Sequence, residues 1–154
     1  MSNDPTNALL ERIRAALRKA QREGNLHDGN IPVKNIWDNI DGSDIQRAHL
    51  PLIQFDEIPA GAAGYAGDGI ELNPFAIQFI VWVDKGADAA KARNRARAVR
   101  EQLIDTLHVE RPFSLCGGAR QALSTERQTD EYGLKFATGV GVTYRGDIME
   151  QAGR

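Results

Sequence analysis

The sequence predicts an α+β domain in which a mainly antiparallel sheet of four to five strands is flanked by two amphipathic helices. Two stretches repeat apolar residues at helical spacing, several others alternate or run apolar in the manner of strands, and their order is helix, two strands, strand, helix, two strands. At 154 residues the chain fits one domain, residues 1–154, with one core.

The first helix opens at Asp4 and Pro5, an N-cap followed by a first helical position. Leu10, Ile13, Leu17 and Ala20 then recur on one face until Gly24. From Asn25 to His49 the chain is polar and broken by Gly29, Pro32 and Gly42, with a short strand expected within Val33–Ile40. Residues 50–58 (LPLIQFDEI) read as a strand that runs into PAGAAGYAGDG, expected to be a flexible loop over about residues 59–72.

The next strand, Ala76–Val83, is apolar on both faces. Ile77, Phe79, Val81 and Val83 point one way; Ile80 and Trp82 point the other. Each face needs a cover. Either one helix packs on each side, or a neighbouring subunit hides Ile80 and Trp82. The second helix is capped by Asp88 and buries Ala92, Ala96, Val99, Leu103 and Leu107 before ending near His108, ahead of Pro112. After Gly117 and Gly118, ARQALSTER reads as a half-polar edge strand, TDEYG as a hairpin turn, and residues 134–145 (LKFATGVGVTYR) as a long alternating strand that outruns its own core.

Composition is that of an ordinary globular chain, 42% hydrophobic and 26% charged, and the net charge of -2 provides no global attraction for DNA or an anionic membrane. Cys116 is the sole cysteine, which excludes an intrachain disulfide and a cysteine zinc cluster and suits a reducing compartment. The N-terminal stretch carries acids and arginines where a signal peptide needs an apolar run, and no apolar run approaches ~18 residues, so neither export by that route nor a membrane span is expected.

No catalytic constellation is expected. DKGAD offers a single Gly86 and no Lys-Ser or Lys-Thr, which fits a tight strand-to-helix turn better than a phosphate cradle. Gly139 and Gly141 lie inside an alternating strand, where they make a smooth face for close packing. His27, His49 and His108 lack metal-ligand spacing, and Cys116 has no base placed beside it by sequence, so no metal and no cofactor are expected. Asp56–Glu57 and Asp130–Glu131 are adjacent pairs that would face opposite ways in a strand, so they form no acid-base dyad.

The most suggestive local feature is the second helix, where Arg93, Arg97 and Arg100 share one flank, with Lys91 and Arg95 on the outer side. The plainer interpretation is a solvated face. The sharper one is a subunit contact with the acidic Glu126, Asp130 and Glu131, which would be head-to-tail and ring-forming if the two patches lie on opposite sides of the subunit. A third is a small nucleic-acid-binding module built on the arginine helix.

In element order and character the chain resembles the tail terminator, or head-tail joining, proteins of tailed bacteriophages. The resemblance runs from ALLERIRAALRKA through LPLIQFDEI, AGAAGYAGDGI, IQFIVWVD and KARNRARAVREQLIDTL to ARQALSTER and YGLKFATGVGVTYRGD, and is weakest over residues 25–49. It implies a ring, commonly of six copies, at the head-proximal end of a tail tube. Such a ring stops tube polymerisation and meets the head connector, and double-stranded DNA passes through its lumen. Its partners would be itself, the tail tube protein and the connector or stopper protein, with the loop around Tyr65 touching tube, connector or lumen. The implied location is the virion neck after assembly in the host cytoplasm. Other neck and head-completion proteins share the outline.

Overall fold

The computed structural model describes residues 5–38, 45–62, 64–65, 69–115, 124–126, 131–133 and 136–151. It shows an α+β fold with helices α1 (Pro5–Arg22) and α2 (Ala89–Glu110) and strands β1 (His27–Asp28), β2 (Ile31–Pro32), β3 (Asn35–Trp37), β4 (Leu52–Glu57), β5 (Gly64–Tyr65), β6 (Ile70–Asp84), β7 (Ser124–Glu126), β8 (Glu131–Gly133) and β9 (Ala137–Gln151). The main sheet follows the path β3-β4-β6-β9-β7, with β5 on β6 and β8 on β9; β1 and β2 form a separate hairpin. Every pairing in the main sheet is antiparallel except β3 with β4.

The helices form where the apolar stripes demand. Asp88 caps α2 by accepting from the N–H groups of Ala90 and Lys91, and Ala92, Ala96, Val99, Leu103 and Leu107 are buried, as the periodicity predicts. Arg111 then turns left-handed, its N–H donating to Leu107 O at 3.1 Å, and Pro112 ends the run. The expected cap at Asp4 lies outside the described residues. Gly86 takes φ +59 in the turn between β6 and α2, and its N–H donates to Asp84 at 2.8 Å: a tight turn closed by a side chain.

Both helices lie on the same face of the sheet. Leu9, Ile13, Leu17 and Ala20 of α1 join the α2 stripe over Ile53 and Phe55 of β4, Phe75 to Val83 of β6 taken alternately, and Val140, Val142, Tyr144 and Ile148 of β9. Aromatic rings close one end of this core, with Phe113 stacked between Phe75 and Tyr144 at centroid distances of 5.7 and 5.1 Å. Lys19 of α1 bridges to Glu110 of α2 at 3.0 Å. That hydrogen bond, then the charges of Glu110 and Glu23, raise the Lys19 pKa above its ordinary value. On the lysine's side, what the bridge adds to stability is therefore complete at neutral pH and is lost as a strongly alkaline pH passes the folded-state value.

The opposite face corrects the sequence expectation. Ile80 and Trp82 are buried by their own chain, at 3% and 4% exposure. Their cover is a second small core formed by Ile45, Leu50, Leu52 and Ala137, with Trp37 and Phe136 packed at its rim. The segment leading into β4 folds back across the sheet and does what a second helix or a neighbouring subunit was expected to do. Ile80 and Trp82 are thus core residues, and their apolar character no longer argues for assembly.

Trp82 lies flat on the β9 backbone. A Cβ added at Gly139 would sit 2.8 Å from Trp82 Cε3, and the ring is pinned by Nε1 donating to the buried Gln54 Oε1 at 2.7 Å. The smooth-faced role predicted for Gly139 is what the packing shows. Gly139→Ala is expected to lower stability by about 1–3 kcal/mol through overpacking, measured by urea unfolding; a neutral result would show that the indole can shift.

Two boundaries also differ from expectation. β6 starts at Ile70 and β9 runs to Gln151, so the two pair over 15 positions, from Ile70 opposite Gln151 to Asp84 opposite Ala137. The final reversal follows Gly133 rather than falling at TDEYG, because β7 and β8 both run antiparallel to β9, with Glu126 opposite Thr143 and Glu131 opposite Val140. Among the described residues no helix is long and apolar enough to cross a membrane.

Candidate functional site

The β6–β9 ribbon is the feature that outgrows its own core. Fifteen residues of strand span ~50 Å at ~3.4 Å per residue. Helix cover over β6 begins at Phe75, so Ile70 to Pro74 and the end of β9 project as an arm. β5 adds to that arm, with Gly64 opposite Leu72 and Tyr65 opposite Glu71. Part of the glycine-alanine segment, expected to be loop throughout, is therefore strand, and it places Tyr65 at the arm's edge.

Pro74 explains how the arm separates from the body. The carbonyl of Ala76 accepts from the Ile58 N–H on the β4 side, so Pro74, two residues earlier, turns its missing N–H to that same side. Pairing with β4 has ended there, at Glu57 opposite Ile77, and β5 pairs only from Leu72. No bond to β9 is lost. An open cleft of about 430 Å³ lies at this root, lined by Glu57 to Gly61, Pro74 and Phe75.

The arm is acidic. Residues 56–62, 69–76 and 145–151 carry Asp56, Glu57, Glu71, Asp147 and Glu150 against a single base, Arg145, and the register sets Glu71 opposite Glu150. Glu57 is exposed, and Asp56, Glu71 and Asp147 are half-buried; none of these four has a cationic partner among the described residues.

Helix α1 has the opposite character, with Arg12, Arg14, Arg18, Lys19 and Arg22 against Glu11 alone. Arg14 pairs with Asp38, and Lys19 with Glu110 and Glu23. Arg12, Arg18 and Arg22 are exposed and without a partner among the described residues. The sequence holds the signal for this face in Arg18 and Arg22, four residues apart on a helix, but not the fact that both remain unpaired once the chain has folded.

Those α2 arginines serve the fold. Arg100 donates from Nη1 to Gly141 O at 3.1 Å. That carbonyl falls in the gap between the stretches of β9 paired with β8, up to Val140, and with β7, from Thr143. Arg93 is half-buried and Arg97 exposed, and both have partners within the chain. Arg100 thus meets β9 between the strands that hold Glu126 and Glu131. Asp130 lies outside the described residues, as does Cys116.

Arg95, read as an outer-face residue, is instead an anchor. Its Nη1 donates to Asp28 Oδ2 at 2.6 Å and its Nη2 to Asp84 O at 2.6 Å. Gln102 adds two bonds to the backbone of His27, accepting from its N–H and donating to its carbonyl. Together they hold the β1–β2 hairpin against α2. The histidines are dispersed: the His27 ring contacts Gly29 O, His49 packs edge-on against Trp37, and His108 is exposed on α2. Among the described residues no three potential metal ligands cluster.

What the molecule presents is thus two charged regions of opposite sign, an acidic strand arm with its root and a basic helix face. Compared with models of protein families and with curated proteins, the chain matches none.

Proposed function

We propose that this chain is a structural ring protein of a phage tail. It would sit at the head-proximal end of the tail tube, stop tube polymerisation and join the tail to the head connector, with DNA passing through the lumen. The observation that carries this proposal is the projecting β5-β6-β9 arm: a strand ribbon longer than its core requires, whose outer backbone edges have no partner strand among the described residues. The resemblance to tail terminators rests on the order of helices and strands, and the described residues run helix, six strands, helix, three strands, which keeps the two helices in their expected places but has more strands than the expected order. The two-faced strand lends no further support, since Ile80 and Trp82 are covered internally.

A nucleic-acid module built on α2 is disfavoured, because Arg93, Arg95, Arg97 and Arg100 are all engaged within the chain. A conduit also has reason to hold DNA loosely, since each phosphate neutralised adds affinity and drag. The test is to add the purified protein to growing tail tubes and image the tips by electron microscopy. Expected are tubes of fixed length, each ending in a ring, that then accept heads. Tubes that keep growing with bare tips would overturn the proposal.

A further inference from the structure

We infer that the acidic arm of one copy docks on the basic outer face of α1 in the next. This deepens the ring proposal and rests on it. The arm and its root carry Glu57 and Glu71 on the face that the helices share and Asp147 on the other face, and the helix surface carries Arg12, Arg18 and Arg22; neither set is neutralised by its own chain among the described residues. Leaving both signs uncompensated in one small chain is the arrangement that favours attraction between copies.

The two surfaces differ in kind, one a helix flank on the outside of the helical layer and the other a strand ribbon projecting past it. A contact between such unlike surfaces, repeated in one direction as the ring proposal requires, propagates into a ring where the rotation closes. The arginine fork can bond a carboxylate with two parallel donors, which gives such a contact register as well as attraction. A second copy is the fitting occupant because the same chain supplies the complementary charge.

The experiment is sedimentation velocity of three full-length proteins: wild type, Arg18→Glu/Arg22→Glu, and Glu57→Lys/Glu71→Lys, with circular dichroism confirming that each is folded. Wild type is expected to self-associate at about 50 mM salt and to weaken about tenfold or more at about 500 mM, where the screening length is roughly threefold shorter. Each reversed variant alone should weaken similarly. An equimolar mixture of the two variants should recover association, because each then offers the charge that the other lacks. Wild type that stays monomeric at low salt, or that associates regardless of both reversals, overturns the pairing. In the latter case, rings still seen at tube tips leave the ring proposal standing. Conversely, association that follows the charges in a protein that never engages tubes keeps the pairing and removes the ring role. Loss of duplex DNA binding without loss of self-association in the α1 variant would assign that helix to phosphate and also overturn the pairing.

Discussion

Trp82→Ala is expected to destabilise the folded chain by about 3–5 kcal/mol, the range for removing a buried aromatic side chain. The indole fills the second core between Leu50, Leu52, Ile45 and Ala137, rests on the Gly139 backbone, and gives its N–H to Gln54 Oε1. Truncation therefore opens a cavity that the strands on either side cannot close, and it removes a donor from an amide that is itself fully buried. Trp82→Phe should cost less, about 1–3 kcal/mol, since the volume largely remains and the lost hydrogen bond dominates. Urea unfolding followed by circular dichroism checks both, with a lower midpoint and an unchanged slope as the expected signature. The alternative makes an opposite prediction. Were Trp82 covered by a neighbour, truncation would abolish association and leave the monomer's stability within about 0.5 kcal/mol, as for an ordinary surface site.

That contrast shows where the sequence was informative. The burial stripe and both ends of α2 were legible because a capping aspartate, a 3.6-residue repeat and a following proline agree with one another. The two-sided apolarity of β6 was equally legible, but the identity of its cover was not. Ile45 sits in the polar, interrupted stretch before His49 and Leu50 at the very start of the expected strand, and only the path of the chain brings them over Trp82. Strand ends were missed for a local reason. Pro74 marks a break by composition, yet at an edge without a partner it costs no hydrogen bond, so the strand runs through it. TDEYG carries turn residues, but the long unpaired side of β9 recruits Glu131 to Gly133 into the sheet.

The candidate surfaces were harder to see for the same kind of reason. Charge along α2 was obvious in the sequence, but whether an arginine faces solvent or a backbone carbonyl depends on contacts such as Arg100 with Gly141, 41 positions apart. The acidic arm and its root are assembled from three separated segments, and their charges gather only once β4, β6 and β9 are placed side by side.

The deepest of these hidden contacts supports the second large effect: Arg95→Met is expected to cost about 3–5 kcal/mol, more than Asp28→Asn at about 1–2 kcal/mol. The asymmetry follows from burial. The Asp28 side chain is 2% exposed and that of Arg95 38%. Without the guanidinium, a carboxylate stays buried with Oδ2 unpaired, and its Oδ1 already lacks a partner. Without the carboxylate, Arg95 still donates to Asp84 O and still reaches solvent. Methionine retains most of the aliphatic stem, so lost packing does not account for the difference. The double variant should then be more stable than Arg95→Met alone, because the second substitution removes the stranded charge; a double-mutant cycle by chemical denaturation measures this. Gln102 continues to grip His27, so damage in Arg95→Met should concentrate in the β1–β2 hairpin, with amide exchange over residues 27–32 quickening before the sheet opens. Equal losses in the two single variants would mean that the pair acts as a surface bridge and that the hairpin is held by Gln102 alone.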